Sequence, residues 1–422
     1  VTIALISFAI LLLLGVPIAY VLGMTTVIYI FATDNLGLVL TVPQRLYSGM
    51  ENYGLLAIPL FMLAGELMNS GGITKRLVNV AKTFFGHYRG GLAYVNVIAN
   101  TMLAAIIGSA TAQIAMMSRT MVPEMEKAGY SKPFSTATTA AAGLLGPIIP
   151  PSMMFIIYGV GSGASIGDMF LAGVIPGILL SFSFICIIAF IGMKAQWPVQ
   201  PKATFKEMIS SFVSVLPALA VPVIIIAGIL TGVFTATESA AIACVVAIIV
   251  GSLVYRELKV SSIPGVLSQT VITTAVITIL IAMANIFGWM LSFEQVPQQI
   301  AAWMVSLSDS PIVFLLLVNI FLLLVGMFMD GIAALIILVP IFMPLLPTYG
   351  VDPIHFGIII CINLTIGILT PPVGSGLFIA SSITKVSIGD LVKALWPFLI
   401  IALIVLLLLT YIPALSLWLP NL

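Results

Sequence analysis

Apolar residues fill this chain in long uninterrupted blocks, and polar residues are confined to short gaps between them. A helix crossing a hydrocarbon core of about 30 Å needs about 20 apolar residues. Blocks of that size cover 3–32, 53–70, 169–192, 213–233, 238–255, 265–291 and 392–418, and each is read as a crossing helix. The first block is too long for a cleaved signal peptide and lacks a basic leader, so it is expected to remain as the first span.

Four further blocks are interrupted. Those over 134–160 and 354–382 are broken midway by GPIIPPS (Gly146 to Ser152) and TPPVGSG (Thr370 to Gly376). Proline removes a backbone donor and glycine weakens a helix, so these are expected to be discontinuous helices. Those over 91–127 and 311–347 carry GSATAQ (Gly108 to Gln113) and MDGIA (Met329 to Ala333) at their centres. They read as re-entrant hairpins with tips at mid-depth, because irregular backbone is tolerated there only when buried or lining a cavity. Before each hairpin lies a short amphipathic segment. Ile73, Leu77, Val80 and Phe84 form one apolar stripe, and Val296, Ile300, Trp303 and Leu307 the other, which predicts two interfacial helices.

The two halves match. A shift of about 221 residues places Pro123 on Pro344, Gly129 on Gly350 and Pro150-Pro151 on Pro371-Pro372, and Gly167-Asp168 meets Gly389-Asp390 one residue later. Charge indicates that the halves are inverted. The basic segment 71–90 matches 292–311, which has no lysine or arginine but carries Glu294 and Asp309. Basic residues collect on the cytoplasmic side of a membrane. With the N-terminus inside, 14 of the 15 lysines and arginines fall inside and only Arg45 outside, and the C-terminus is expected outside.

Composition then narrows the function. Only 7% of the 422 residues are charged, against roughly 25% in soluble domains, so the chain must lie in a lipid bilayer. Cys186, Cys244 and Cys361 are scattered in apolar runs and the two histidines are His87 and His355, a pattern without metal-ligand or disulfide spacing. No phosphate-binding glycine loop occurs, so no nucleotide and no organic cofactor is expected, and a net charge of +1 gives no footprint for nucleic acid. A membrane hydrolase would need a base opposite Ser162 or Ser375, and neither histidine is so placed; the chain is not read as an enzyme. An ion channel would also use polar loops at mid-depth, but has no need of inverted pairs of them.

That leaves an all-α polytopic membrane protein whose inverted repeats, two re-entrant hairpins and two discontinuous helices have the architecture of a secondary ion transporter. Half-helix C-termini offer carbonyls to a cation and N-termini offer N–H groups to an anion. The first repeat supplies Ser109, Thr111 and Gln113 at its tip, with the carbonyls of Gly146, Pro147 and Ile149 and the Ser152 hydroxyl at its break. The second supplies Asp330 at its tip, with Thr370, Ser375 and the carbonyls of Gly367 and Val373 at its break, and Asn363 and Thr365 just upstream. Oxygen ligands of this kind suit sodium. Asp330, aligned with the neutral Ser109, can be read as a sodium ligand, a proton carrier or a helix cap.

GLLGPIIPPS (Gly143 to Ser152), GSATAQ, VPEMEKAGY (Val122 to Tyr130) and GILTPPVGSG (Gly367 to Gly376), in that order, resemble the large membrane subunit of the tripartite ATP-independent periplasmic (TRAP) transporters. The resemblance runs through essentially the whole chain and is greatest to the sialic acid branch. It implies sodium-driven import of an organic acid across the bacterial inner membrane by an elevator-type motion. The partners implied are a small four-helix membrane subunit and a periplasmic substrate-binding protein. A C4-dicarboxylate or another carboxylate is the alternative cargo. Carried onto this chain, sodium falls to Ser109, Thr111, Gly146, Pro147, Ile149, Asp330, Gly367, Thr370 and Val373, many by carbonyl, and substrate to Gln113, Ser152, Asn363, Thr365 and Ser375. The implied bodies are a scaffold (1–70 and 213–291), arm helices (71–90 and 292–310), a cytoplasmic linker (193–212) and a transport domain (91–192 and 311–422).

Overall fold

The computed structural model describes residues 2–194, 197, 199 and 201–422, and among these all regular structure is helical. The first apolar block departs from expectation. Helix α1 (Thr2–Leu13) ends where Gly15 adopts a left-handed φ of +74°, and Pro17, which has no N–H to donate, opens α2 (Ile18–Ala32). Phe8 stacks on Phe287, while Ala4 shares a small cavity with Tyr29 and Glu294 further along the same helix. Gly23 packs on Met283 at the other end of this contact, so α1 runs back along α2. The single crossing expected over 3–32 is thus a helix pair; a 12-residue helix spans only ~18 Å.

Helix α3 (Thr41–Met50) and α4 (Ala57–Ser70) follow, then α5 (Ile73–Phe85), which buries Ile73, Leu77 and Val80 of its apolar stripe. The first hairpin is α6 (Gly91–Ile107) and α7 (Ala110–Lys127). Gly108 turns the chain at φ +63°, and the Ser109 hydroxyl caps α7. The first broken helix is α8 (Lys132–Gly143) and α9 (Met153–Ser162), with a cis Pro150–Pro151 bond in the gap and Ser152 capping α9. Helix α10 (Ile166–Lys194) closes this half.

Helix α11 (Phe205–Leu230) starts earlier than the expected span 213–233, because Thr204 and Glu207 form a reciprocal capping box ahead of it. The expected linker 193–212 is shortened accordingly, and its residues 195, 196, 198 and 200 lie outside the described ones, as does the Lys194 side chain. Helices α12 (Ala236–Ile249) and α13 (Ile263–Phe293) follow, then α14 (Val296–Leu307), which leaves Trp303 and Leu307 exposed. The second hairpin is α15 (Pro311–Phe328) and α16 (Gly331–Phe342), and a short α17 (Leu346–Tyr349) leads on. The second broken helix is α18 (Pro353–Gly367) and α19 (Ser375–Thr384), with Pro371–Pro372 again cis, and α20 (Ile388–Tyr411) comes after it.

The halves agree in local detail. Gly129 and Gly350 are both left-handed. Ser165 accepts from the Asp168 N–H as Ser387 does from that of Asp390. Each hairpin also holds the other half's broken helix: α7 packs on α19 and α16 on α9. A second group forms around α13, which contacts α2, α3 and α4, while α12 packs on α4 and α11.

Candidate functional site at the tips and breaks

Each tip meets the break of its own half. A Cβ on Gly146 would lie 2.7 Å from Gln113 Oε1 and 3.0 Å from the Ser109 carbonyl, so only glycine lets the first break approach the first tip this closely. In the second half Gly374 N–H donates to the Met327 carbonyl at 2.9 Å. A Cβ on Gly367 would lie 2.6 Å from the Gly326 Cα, so two backbones touch there.

The two tips also face each other. Ser109, Thr111, Pro147, Asp330 and Thr365 line one cavity of about 40 Å³, room for an ion or a water but not for an organic acid. The Asp330 carboxylate accepts from the Ile332 N–H at 3.0 Å and so caps α16, as Ser109 caps α7. Two helix N-termini, both partly positive, therefore point at a space that also holds one carboxylate.

Several of the other residues singled out from the sequence have internal partners. Ser152 donates to the Pro147 carbonyl and accepts from Phe155 N–H; Thr365 and Thr370 donate to the carbonyls of Cys361 and Ile366. The Gly367 carbonyl accepts from Thr370 N–H, and Ile149 N–H donates to the Leu145 carbonyl. Val373 is exposed on the second break, and Ser375 Oγ is buried with no partner at the start of α19.

Gln113 and Asn363 stand apart. Both are fully buried. Gln113 Nε2 donates to the backbone carbonyl and Oδ1 of Asn100, at 2.7 and 2.8 Å. Asn363 Nδ2 donates to the same two kinds of atom on Asn319, at 3.0 and 2.7 Å. Of the two ends of a side-chain amide only the nitrogen can donate to a backbone carbonyl, which sets the orientation of both side chains. Gln113 Oε1 and Asn363 Oδ1 are then left buried without any partner. Leaving such an acceptor unmet costs about 1–3 kcal/mol. The supporting amides were not anticipated: Asn96 and Asn100 join in one chain that ends on Thr139, and Asn319 donates to Thr410. The i, i+4 spacing of Asn96 and Asn100 inside an apolar helix was the available signal.

This arrangement, on a bundle of apolar helices, defines a multi-span transport protein. The fold is similar to that of the Alcanivorax borkumensis YdaH transporter, with a TM-score of 0.65 and 15% identity over 92% of this chain and 89% of that one. Residues 5–415 match the model of the tripartite ATP-independent periplasmic transporter, DctM component, and the chain belongs to that family. It is a transport permease and not an enzyme. The sialic acid TRAP transporter large permease protein SiaM of Vibrio cholerae is 39% identical over 98% of this chain and 96% of its own length. The C4-dicarboxylate large permease protein DctM of Pseudomonas aeruginosa is 40% identical over 93% and 92%.

Proposed function

We propose that the chain is the sodium-coupled importer of an organic acid anion, working in a bacterial inner membrane with a small membrane subunit and a periplasmic binding protein. The observation that carries this reading is the pair of buried, unpartnered amide oxygens on Gln113 and Asn363, the first against Gly146 of the first break and the second about one helical turn before the end of α18. A sodium ion near each of these oxygens meets it together with nearby carbonyls, in place of the substrate contact that the resemblance implied for Gln113 and Asn363, and enters as co-transported cargo. Asp330 offsets the partial positive charge that the N-termini of α7 and α16 bring to the tips, so that a cation nearby is not repelled.

Residues 91–192 and 311–422 then move as one elevator body, because the crosswise packing of α7 on α19 and α16 on α9 ties both hairpins to both broken helices. The scaffold is 1–70 with α11, α12 and α13. Basic loop 71–90 in the cytoplasm places 33–52 outside. The return of α1 along α2 then puts Thr2 outside too, in place of the inside position that a single first span implied. Sialic acid is the cargo favoured by the motif resemblance, and the equally similar DctM relative keeps a C4-dicarboxylate as the second reading.

The test is uptake into proteoliposomes holding the chain and both partners, with labelled N-acetylneuraminate and succinate. An inward sodium gradient is expected to drive accumulation of one of them. Equal uptake with sodium replaced by potassium contradicts the proposal.

A further inference from the structure

A second, larger cavity of about 560 Å³ lies between the two bodies. One wall is scaffold and holds Arg45, Asn52, Asn285, Trp289 and Ser292; the facing wall belongs to α9 and α16, including Ile157 and Leu335. Ile157 is one helical turn beyond Met154 on α9, and Leu335 one turn beyond Ile332 on α16. Met154 and Ile332 line the small cavity between the tips, so the two cavities are neighbours along the same pair of helices.

Among the described residues, Arg45 is the only basic one lining this cavity. Its backbone carbonyl accepts from Asn285 Nδ2 at 2.8 Å, and Gly49 lets α3 press against the same asparagine, which fixes the residue to α13. Its guanidinium lies 6.0 Å from the centre of the Trp289 ring. Among the described residues no carboxylate pairs with it, so its fork of donors is available.

From this geometry we infer that the cavity is a receiving site for a small organic carboxylate on the outer side of the tips, with Arg45 binding the carboxylate and Asn52 and Ser292 the polar remainder. The volume is in the range of small-ligand pockets. The site precedes the sodium step: a cation bound near Asp330 lowers the negative charge that an acid meets on its way from Arg45 to the tips. The inference rests on the proposed transport of an organic acid, but the receiving site itself needs no sodium.

The test is equilibrium binding of ¹⁴C-succinate and ¹⁴C-N-acetylneuraminate to the purified complex of this chain with its small subunit, in sodium-free choline buffer. Wild type is expected to bind one acid saturably. R45Q should weaken binding by about tenfold or more, and R45K should retain it within a few-fold. Both variants keep the carbonyl that Asn285 holds, and unfolding temperatures equal to wild type verify that the fold is intact. Unchanged binding in R45Q, or no sodium-free binding of either acid to wild type, overturns the inference. Arg45-dependent binding in a complex whose uptake ignores sodium would instead refute the coupling and leave the receiving site standing.

Discussion

Asp330 is the single carboxylate lining the space between the tips, and the matching position in the other half is the neutral Ser109. Both act as helix caps, which a helix end needs whatever the cargo. Capping alone predicts that Asp330→Asn is nearly silent, because asparagine caps as well as aspartate. Sodium binding predicts that Asp330→Asn raises the half-saturating sodium concentration by about tenfold, the equivalent of 1.4 kcal/mol, and leaves the pH profile of uptake unchanged. A proton-carrying role predicts that the pH profile flattens. Sodium titrations of uptake at two pH values separate the three.

Close backbone approach makes a sharper prediction for the elements. Gly367→Ala drives a Cβ into the Gly326 backbone between α15 and α18, and overpacking of this kind costs about 1–3 kcal/mol. Gly389→Ala, in the first turn of α20 with nothing near the added carbon, should be neutral or stabilising. Thermal unfolding of the two variants in detergent checks this, and equal effects would contradict it.

Much of the element order was legible because Pro150-Pro151, Pro371-Pro372 and the Gly108 and Asp330 tips interrupt otherwise featureless apolar runs. The Gly15-Val16-Pro17 turn carries the same chemistry, yet apolar residues continue through it, so length concealed the reversal of α1. Thr204 and Glu207 marked the true start of α11, but hydropathy alone begins the span at the apolar residues beyond them. At the site, residue type showed where oxygens gather. It did not show which were already satisfied, since that depends on the partners of Ser152, Thr365 and Thr370 across and along helices.

At the scale of the whole molecule, the reversal of α1 changes the expected topology. Single cysteines at Thr2 and Asn421 should react with an impermeant thiol reagent from outside intact cells, and one at Lys82 should not; labelling of Lys82 and Asn421 from one side contradicts the arrangement. Phe61 on α4 meets Phe170 on α10 at 5.9 Å between ring centres, across the proposed boundary between scaffold and transport body. Joining the two positions through introduced cysteines should stop uptake while sodium still binds.

If cations sit near the tips and breaks, the purified complex binds ²²Na⁺ whether or not it transports. Wild type should bind sodium saturably, and Gln113→Leu and Asn363→Leu, each removing one unpartnered oxygen, should each lower the amount bound or weaken its affinity by about tenfold. Binding that does not saturate, or that is the same in all three proteins, would contradict the account.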